Sequence, residues 1–208
     1  MSEETGSQSV RAVRGSAIRD LLSLTERPGV ISLAGGLPAP ELLPAERVAH
    51  AAEAALRSPS ALQYGLTAGA PTLRDVVHAR ESAALGRDAG AVVVTHGSQQ
   101  ALSLLAQALL DPGDVVVVED PGYIGALQAF DTTRARVIGV PMDADGMRVD
   151  ELRPLLERER VRVVHTVSNF HNPGGATLSE ERRREREADA ERQAGDAEDE
   201  RPLRPAAV

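Results

Sequence analysis

The chain lacks cysteine, tryptophan and lysine, and it has few aromatic residues. It has 208 residues, two of them Tyr and two Phe, and its 23 basic residues are all arginine. Without cysteine it has neither a disulfide framework nor a thiolate metal site. No apolar run approaches the roughly 20 residues of a membrane span, and the polar start MSEETGSQSV has no signal-peptide core. We therefore expect a cytoplasmic protein without membrane contact, whose core is built from Ala, Val and Leu.

Charge and histidine spacing argue against two further classes. A formal net charge of −8 argues against general nucleic-acid binding. Arginines cluster at residues 182–186, and we interpret this run as a solvated helix face. Neither HxH nor HExxH spacing occurs, so we expect no metal site. GC-rich codon usage is one explanation for the absence of lysine, because Arg, Ala, Gly and Pro are abundant.

Hydrophobic periodicity predicts alternating strands and helices in the middle of the chain. The predicted strands are residues 92–95, 115–118, 136–140 and 161–167, and the predicted helices between them are residues 98–110, 124–130 and 149–158. Further helices are predicted at residues 16–24, 44–56 and 72–85. This alternation implies an α/β fold with a mainly parallel sheet covered by helices on both faces.

The sequence pattern changes near residue 186. Beyond it the chain is charged and has no apolar stripe, so we expect residues 187–208 to extend a solvated helix and then become disordered. A parallel sheet that stops after three or four strands is incomplete. By sequence pattern the chain divides into a mobile arm (residues 1–15), an N-terminal segment (16–58), a partial large domain (59–185) and a charged tail (186–208).

Two turns between strands and helices contain candidate ligand contacts. In residues 95–100 (THGSQQ), free N–H groups, the helix dipole and the Ser98 hydroxyl suit a phosphate, although a plain serine cap explains the same residues. Tyr123 follows the next strand, and open parallel sheets bind ligands beyond the carboxyl ends of their strands. Its ring suits a flat cofactor, and it equally suits packing on the sheet edge.

A third polar turn, residues 169–175 (NFHNPGG), follows the last predicted strand. We expect Asn172 to direct its amide into the cleft at the strand ends, while Pro173 and the glycines turn the chain. A ligand-free Asn-Pro-Gly turn is the alternative.

Together the three turns resemble those of the aminotransferases of class I/II, fold type I, which depend on pyridoxal 5'-phosphate (PLP). The likeness is strongest to the branch of 2-aminoadipate-type aminotransferases and of aminotransferase-like domains in certain bacterial regulators. Residues 31–41 (ISLAGGLPAPE) and 62–65 (LQYG) strengthen the resemblance, which covers about residues 15–185. It implies a partial, incomplete fold-type-I large domain.

The resemblance implies four kinds of cofactor contact. Ser98 and Gln99 match the phosphate cup, and Tyr123 matches the residue that stacks on the pyridine ring. Asn172 matches the amide that hydrogen-bonds the phenolic oxygen of the ring. Tyr64 matches a tyrosine that reaches the phosphate in the neighbouring subunit, which implies a homodimer with shared sites.

Two substrate contacts are implied as well, for an amino acid and a 2-oxo acid. Gly36 lies where family members offer a backbone N–H to the substrate α-carboxylate. Arg19 is a candidate selector for an acidic side chain, or simply a surface arginine.

The groups that carry out the family's chemistry are missing, so we assign no catalytic residue. The family's lysine holds PLP as a Schiff base and shuttles protons; an arginine cannot replace it, because its guanidinium stays protonated. The aspartate that pairs with the pyridine nitrogen is expected roughly 25–30 residues after Asn172. Asp196 and Asp199 occur there, but within the charged tail. The later arginines that bind phosphate and α-carboxylate also have no counterpart.

Three hypotheses follow. The first is a truncated or frame-shifted aminotransferase that is inactive alone. The alternative is a non-catalytic protein that binds PLP without a lysine linkage, or that pairs with a full-length relative. The third, the sensor domain of a regulator, is discounted because only about 15 residues precede the first motif. Loss of the later strands exposes a sheet edge, so we expect a homodimer or aggregation.

Overall fold

The structure is a computed structural model that describes residues 6–12, 29–30, 38–196 and 206–207. Arg19, Gly36 and the predicted helix at residues 16–24 lie outside the described residues. The chain divides into two compact units, one formed by Leu37–Gly97 and the other by Met1–Gly36 together with Ser98–Val208. The division by sequence pattern at residues 15, 58 and 185 stays a prediction.

The helices and strands follow the predicted order closely. The helices are α1 (Gln8–Ala12), α2 (Ala45–Leu56), α3 (Pro71–Leu85), α4 (Gly97–Leu109), α5 (Ile124–Thr133), α6 (Val149–Arg158) and α7 (Glu180–Asp196). The strands are β1 (Val115–Asp120), β2 (Arg136–Asp143), β3 (Gly146–Met147), β4 (Val161–Val164) and β5 (Ala206–Ala207). Short 3₁₀ turns at Pro40–Leu42 and Pro59–Leu62 flank α2. The predicted helices at residues 44–56, 72–85, 98–110, 124–130 and 149–158 are thereby confirmed.

The strands form one sheet in the order β3-β2-β1-β4-β5. β1 pairs in parallel with β2 on one side and with β4 on the other. β5 extends the sheet in parallel beside β4, and β3 is antiparallel to β2. The prediction of a mainly parallel sheet is confirmed. Its topology places the carboxyl ends of β1 and β4 side by side.

Helices cover both faces of this sheet, because successive side chains of a strand point to opposite faces. On one face, Val115 and Val117 of β1 pack with α6; on the other, Val116 and Val118 pack with α4 and α5. The first cluster consists of Val115, Val117, Val140, Met147, Leu152, Leu155, Leu156, Val161, Val164 and Leu178. The second consists of Leu102, Ala106, Leu110, Val116, Val118, Ala126, Ala129, Phe130 and Val163.

Residues 92–95 are not a strand, which corrects the prediction. Val93 is 60% exposed, and the Val94 N–H donates to the loop carbonyl of Ala68 at 3.0 Å. A run of β-branched residues favours an extended backbone, but a strand also needs a neighbour to pair with. Residues 92–95 therefore pair with no strand among the described residues.

The helix that follows the last large loop runs beyond residue 186, as predicted, and reaches Asp196. It is only partly solvated: Asp189 is buried, and its Oδ1 lies 3.3 Å from Nε of Arg153 on α6. α7 therefore packs against α6 along part of the predicted charged tail.

Among the residues described, no helix is both long enough and apolar enough to cross a membrane. A cytoplasmic location stays a prediction.

Candidate functional site

The side chains of Gln99 and Tyr123 meet around Gly125 at the carboxyl end of β1. Gln99 Nε2 donates a hydrogen bond to Gly125 O at 2.9 Å. A Cβ atom at Gly125 would lie 2.6 Å from Gln99 Oε1 and 2.7 Å from Tyr123 Cε1. A side chain at this position would therefore require Gln99 and Tyr123 to shift. The structure thus brings two of the predicted contact residues together.

The start of α4 adjoins this cluster. The helix begins at Gly97, which has a φ of +76°, so Ser98 lies in the first turn rather than before it. The first N–H groups of a helix have no partner within it, and the helix dipole favours negative charge there. Ser98 and Gln99 therefore stand where an anion is favoured.

Residues 168–178 form a closed loop after β4. Its two limbs are joined by backbone hydrogen bonds, from Leu178 N to Ser168 O at 2.9 Å and from His171 N to Ala176 O at 2.7 Å. Phe170 N also donates to Thr177 Oγ1 at 3.1 Å. These bonds hold the limbs side by side and leave the turn around Asn172 at the tip.

Asn172 is exposed at this tip, between a buried His171 and a cis bond to Pro173. Gly174 N donates to Nδ1 of His171 at 3.0 Å. A Cβ at Gly174 would lie 2.9 Å from the same nitrogen, so the turn needs glycine there. The hydrogen bond from Gly174 thus links the tip of the loop to the buried imidazole ring of His171.

A buried acid faces that ring. Glu119 Oε2 lies 3.2 Å from His171 Nε2, and each side chain is 1% exposed. This is ion-pair distance, although the two groups are not aligned as a regular hydrogen bond. Glu119 Oε2 also accepts the N–H of Val167 at 2.8 Å. Burial raises the pKa of the Glu119 carboxyl, while the Val167 N–H and the nearby His171 and Arg186 oppose that rise.

His165, just after β4, adds a second buried imidazole. Its ring packs edge-on against Phe130, with ring centroids 5.8 Å apart. Burial, followed by the nearby His171 ring, lowers the pKa of His165 to about 4. His165 is therefore neutral at physiological pH.

Three arginines at the start of α7 point into the fold, which corrects the prediction of a solvated helix face. Arg182 binds Asp143, and Arg183 donates to Ser168 O at 2.8 Å and to Asn169 Oδ1 at 2.7 Å. Arg186 donates to Thr166 Oγ1, and burial lowers its pKa. Arg183 and Arg186 anchor the limb that leads to Asn172, whereas Arg182 binds the end of β2.

An open pocket of about 510 Å³ lies beside the Asn172 loop. This volume is within the range of small-molecule sites. None of Ser98, Gln99 or Tyr123 lines it, so it lies next to the predicted cofactor contacts and does not include them. Its lining residues are Pro121, Met142, Asp143, Ala144, Gly174, Gly175 and Ala176.

The remaining predicted contacts belong to the other unit or lie outside the described residues. Tyr64 belongs to the unit Leu37–Gly97, where it is 99% exposed. Gly36 and Arg19 lie outside the described residues. The described residues contain no group of three or more His, Asp or Glu side chains that is arranged to bind a metal ion.

Sequence reasoning missed Glu119 and His171 as a pair. The signal for Glu119 was present, because a carboxylate that ends a run of four valines must be buried with a partner. The partner itself was not visible, since the two residues are 52 positions apart and meet only when β1 and β4 pair.

Comparisons with known proteins agree on one family. Residues 28–185 match the model of the family described as aminotransferase class I and II. The chain is 44% identical over 175 residues to 2-aminoadipate transaminase of Thermus thermophilus, and 40% identical over 191 residues to aromatic-amino-acid aminotransferase 1 of Thermococcus litoralis. These alignments cover 83% and 88% of the chain, respectively.

Solved structures give the same result. The multiple substrate aminotransferase from Thermococcus profundus superposes with a TM-score of 0.84 at 39% identity, over 92% of this chain and 50% of that one. The α-aminoadipate aminotransferase from Thermus thermophilus, solved with N-(5'-phosphopyridoxyl)-L-leucine, has a TM-score of 0.75 at 36% identity, over 96% of this chain and 48% of that one. The fold-type prediction is confirmed. The chain spans 43% of the length of the Thermus thermophilus transaminase and 46% of that of the Thermococcus litoralis aminotransferase.

Proposed function

Because the chain belongs to the class I and II aminotransferase family, we propose that it binds PLP at the carboxyl ends of β1 and β4. For the whole protein the proposed reaction is amino transfer from an amino acid to a 2-oxo acid. For these 208 residues alone we propose reversible cofactor binding without catalysis. The phosphopyridoxyl adduct in the solved α-aminoadipate aminotransferase supports the choice of cofactor.

The residues present suit the parts of PLP that are bound without a covalent bond. The first turn of α4 offers N–H groups and the Ser98 hydroxyl to a phosphate. Tyr123 offers an aromatic face to the pyridine ring, and Asn172 offers an amide to the phenolic oxygen. The observation that carries the proposal is the contact of Gln99 and Tyr123 around Gly125, which joins the phosphate side to the ring side.

The residues present do not suit covalent attachment. The chain contains no lysine, and an arginine guanidinium stays protonated and is a poor nucleophile. When bound, PLP supplies an aromatic ring that withdraws electrons from the α-carbon of the substrate. These residues hold and orient that ring, but no side-chain amine is present to move the α-proton. We therefore propose that they do not transfer amino groups by themselves.

We further propose that the chain forms a homodimer. The helices α2 and α3 bury no residue, and apolar side chains of their unit are exposed. An apolar surface of this kind typically marks an interface. Tyr64 is fully exposed there, as a residue that contacts a neighbouring subunit would be. The exposed apolar residues of the unit include Leu42, Val48, Leu56, Leu62, Leu66, Leu73, Val76 and Leu85.

PLP titration by calorimetry tests the cofactor proposal. We expect saturable binding that weakens in Gln99→Ala and in Tyr123→Ala. Gln107→Ala is the matched control, because Gln107 lies further along α4 and its Nε2 bonds only the carbonyl of Ser103 within the same helix. Binding that is absent from the parent, or unchanged in both site variants, contradicts the proposal.

Borohydride reduction followed by peptide mapping tests the absence of covalent attachment. We expect no reduced PLP adduct on any side chain. An adduct on the α-amine of the first residue alone counts as non-specific labelling, because any exposed amine reacts with an aldehyde.

Size-exclusion chromatography with light scattering tests the dimer, and a 22.0 kDa monomer would contradict it.

A further inference from the structure

Glu119 and His171 form a buried contact next to the tip of the loop that contains Asn172. Glu119 is the penultimate residue of β1, and His171 directly precedes Asn172 in the loop after β4. Both side chains are almost wholly buried, with Oε2 and Nε2 3.2 Å apart. Burying a carboxylate is costly, and an apolar pair of similar volume is often as stable or more so. Stability alone therefore does not account for this pair.

The hydrogen bonds of His171 define where its ring proton lies. Its Nδ1 accepts the N–H of Gly174, so that nitrogen carries no proton. The ring proton is then on Nε2, which lies 3.2 Å from Glu119 Oε2 without the alignment of a regular hydrogen bond. His171 thus links a rigid strand on one side to the turn of the loop on the other.

The backbone of His171 is also held by hydrogen bonds within the loop. His171 N donates to Ala176 O at 2.7 Å, and Gly175 N donates to His171 O. Glu119 in turn holds Val167 N at 2.8 Å, at the start of the same limb. Asn172 is therefore an exposed residue of a turn that His171 and Glu119 hold through hydrogen bonds to its backbone.

We propose that Glu119 and His171 are positioning residues that set the direction of the Asn172 amide. The inference rests on the proposed function for the role of Asn172 as a cofactor contact. The part that concerns the turn does not depend on any ligand. Glu119 fixes the His171 ring, the ring fixes Gly174, and the turn between them holds Asn172.

Two isosteric variants of His171 separate the two contacts of the ring. In His171→Asn, the amide oxygen takes the place of Nδ1 and still accepts the Gly174 N–H. In His171→Gln, the amide nitrogen takes the place of Nε2 and faces Glu119, but the acceptor for Gly174 is lost. Hydrogen exchange of the Gly174 amide, followed by NMR, then reports on the turn directly.

We expect Gly174 to exchange roughly tenfold faster in His171→Gln, the loss expected for one hydrogen bond of ordinary strength. In His171→Asn the acceptor for Gly174 is kept but the contact with Glu119 is lost, so the rate should lie between those of the parent and His171→Gln. Glu119→Gln should retain protection, because its amide oxygen still accepts the Val167 N–H and a polar group still faces His171, whereas Glu119→Leu should lose it. Exchange of the α6 amides serves as the check on the fold.

The affinity for PLP, measured by calorimetry, then tests whether the turn positions the Asn172 amide. Asn172→Ala gives the effect of removing the amide, and we expect His171→Gln and Glu119→Leu to weaken binding by a similar factor. Glu119→Gln should bind as the parent does, and His171→Asn should weaken binding less than His171→Gln does. Rescue by the isosteric variants separates positioning from a general loss of stability.

Three results overturn the proposal. The first is equal Gly174 exchange in the parent and His171→Gln. The second is a loss of α6 protection in both His171 variants, which would mean that the pair holds the whole fold. The third is faster Gly174 exchange in His171→Gln and Glu119→Leu with a PLP affinity equal to that of the parent, although Asn172→Ala does weaken binding. If Asn172→Ala has no effect, or no form binds PLP, the proposed function fails, and the exchange measurement still decides whether the pair sets the turn.

Discussion

Arg182 binds Asp143 through both terminal nitrogens of its guanidinium group. Nη1 donates to Oδ1 at 2.6 Å, and Nη2 donates to Oδ2 at 2.7 Å. The same Nη1 donates to Gly146 O at 3.1 Å. One side chain of α7 thereby joins the end of β2 to the turn that leads into β3.

The hydrogen bonds from Arg182 and from the Asp145 N–H lower the pKa of Asp143 from 3.8 to about 2. A lowered pKa in the folded state stabilises the protein above the unfolded-state pKa, and this contribution is lost as the pH falls from about 4 to about 2. Asp143→Asn should therefore unfold at a lower urea concentration than the parent at neutral pH. The difference should shrink over that acidic window.

Glu180→Gln is the matched control for this prediction. Glu180 pairs with Arg184 one turn away at 3.1 Å, and both side chains are exposed. Exposed pairs of this kind contribute little to stability. Equal urea midpoints for Asp143→Asn and Glu180→Gln at neutral pH would rule out a structural role for the Arg182 contact.

Gly146→Ala and Gly113→Ala separate backbone strain from crowding. Both glycines have left-handed φ values, +90° and +92°. A Cβ at Gly146 would lie 2.9 Å from Leu178 Cα, whereas one at Gly113 meets no atom within 4 Å. Both variants should lose about 1–2 kcal/mol to strain, and Gly146→Ala should lose a further ~1–3 kcal/mol to overlap. Urea unfolding measures both, and equal losses would count against the close contact.

Leu152→Ala tests the core beneath α6. Leu152 is 0% exposed and belongs to the cluster on that face of the sheet. We expect a loss of ~2–5 kcal/mol in the free energy of unfolding, because the cavity cannot fully collapse. Leu104→Ala, at a residue 49% exposed on α4, should cost no more than ~1 kcal/mol. A small loss at Leu152 would mean that this face is loosely packed.

His165 should make stability depend on pH in the mildly acidic range. Its pKa is lowered from 6.5 to about 4 in the folded state, so the unfolded chain binds more protons between these values. Stability should then fall as the pH drops from 6.5 to about 4, by up to about 3 kcal/mol. His165→Phe keeps an aromatic ring beside Phe130 and should remove this part of the pH dependence. NMR titration checks the cause, and a His165 midpoint near 6.5 would contradict it.

The alternating pattern was sufficient to predict the parallel strands β1, β2 and β4 and the helices α4, α5 and α6 that cover them. β1 and α6 were predicted almost to the residue, because a short run of β-branched valines favours a strand and a regular apolar stripe favours a helix. Residues 92–95 have the same β-branched composition as β1, yet they pair with no strand among the described residues. β-branched residues favour an extended backbone, but a strand forms only where the tertiary fold supplies a neighbouring strand.

The polar contacts of the candidate site were predicted less completely. Asn172 and Tyr123 could be placed because they follow strands, and strand ends share one edge of a parallel sheet. Arg183 and Arg186 could not, because their partners are carbonyl and hydroxyl oxygens of a loop that no sequence spacing connects to α7. A run of arginines looks the same in sequence whether it faces water or a loop.

The position of β1 in the middle of the sheet restricts how its sequence can diverge. All of its residues from Val115 to Glu119 are buried, whereas in β2 only Val140 is buried. A polar substitution arising in β1 has no water-facing side to occupy, while β2 offers several. We therefore expect evolutionary drift to concentrate in β2, with β1 confined to exchanges among aliphatic residues. A new charge in β1 would be tolerated only with a buried partner, as Glu119 has in His171.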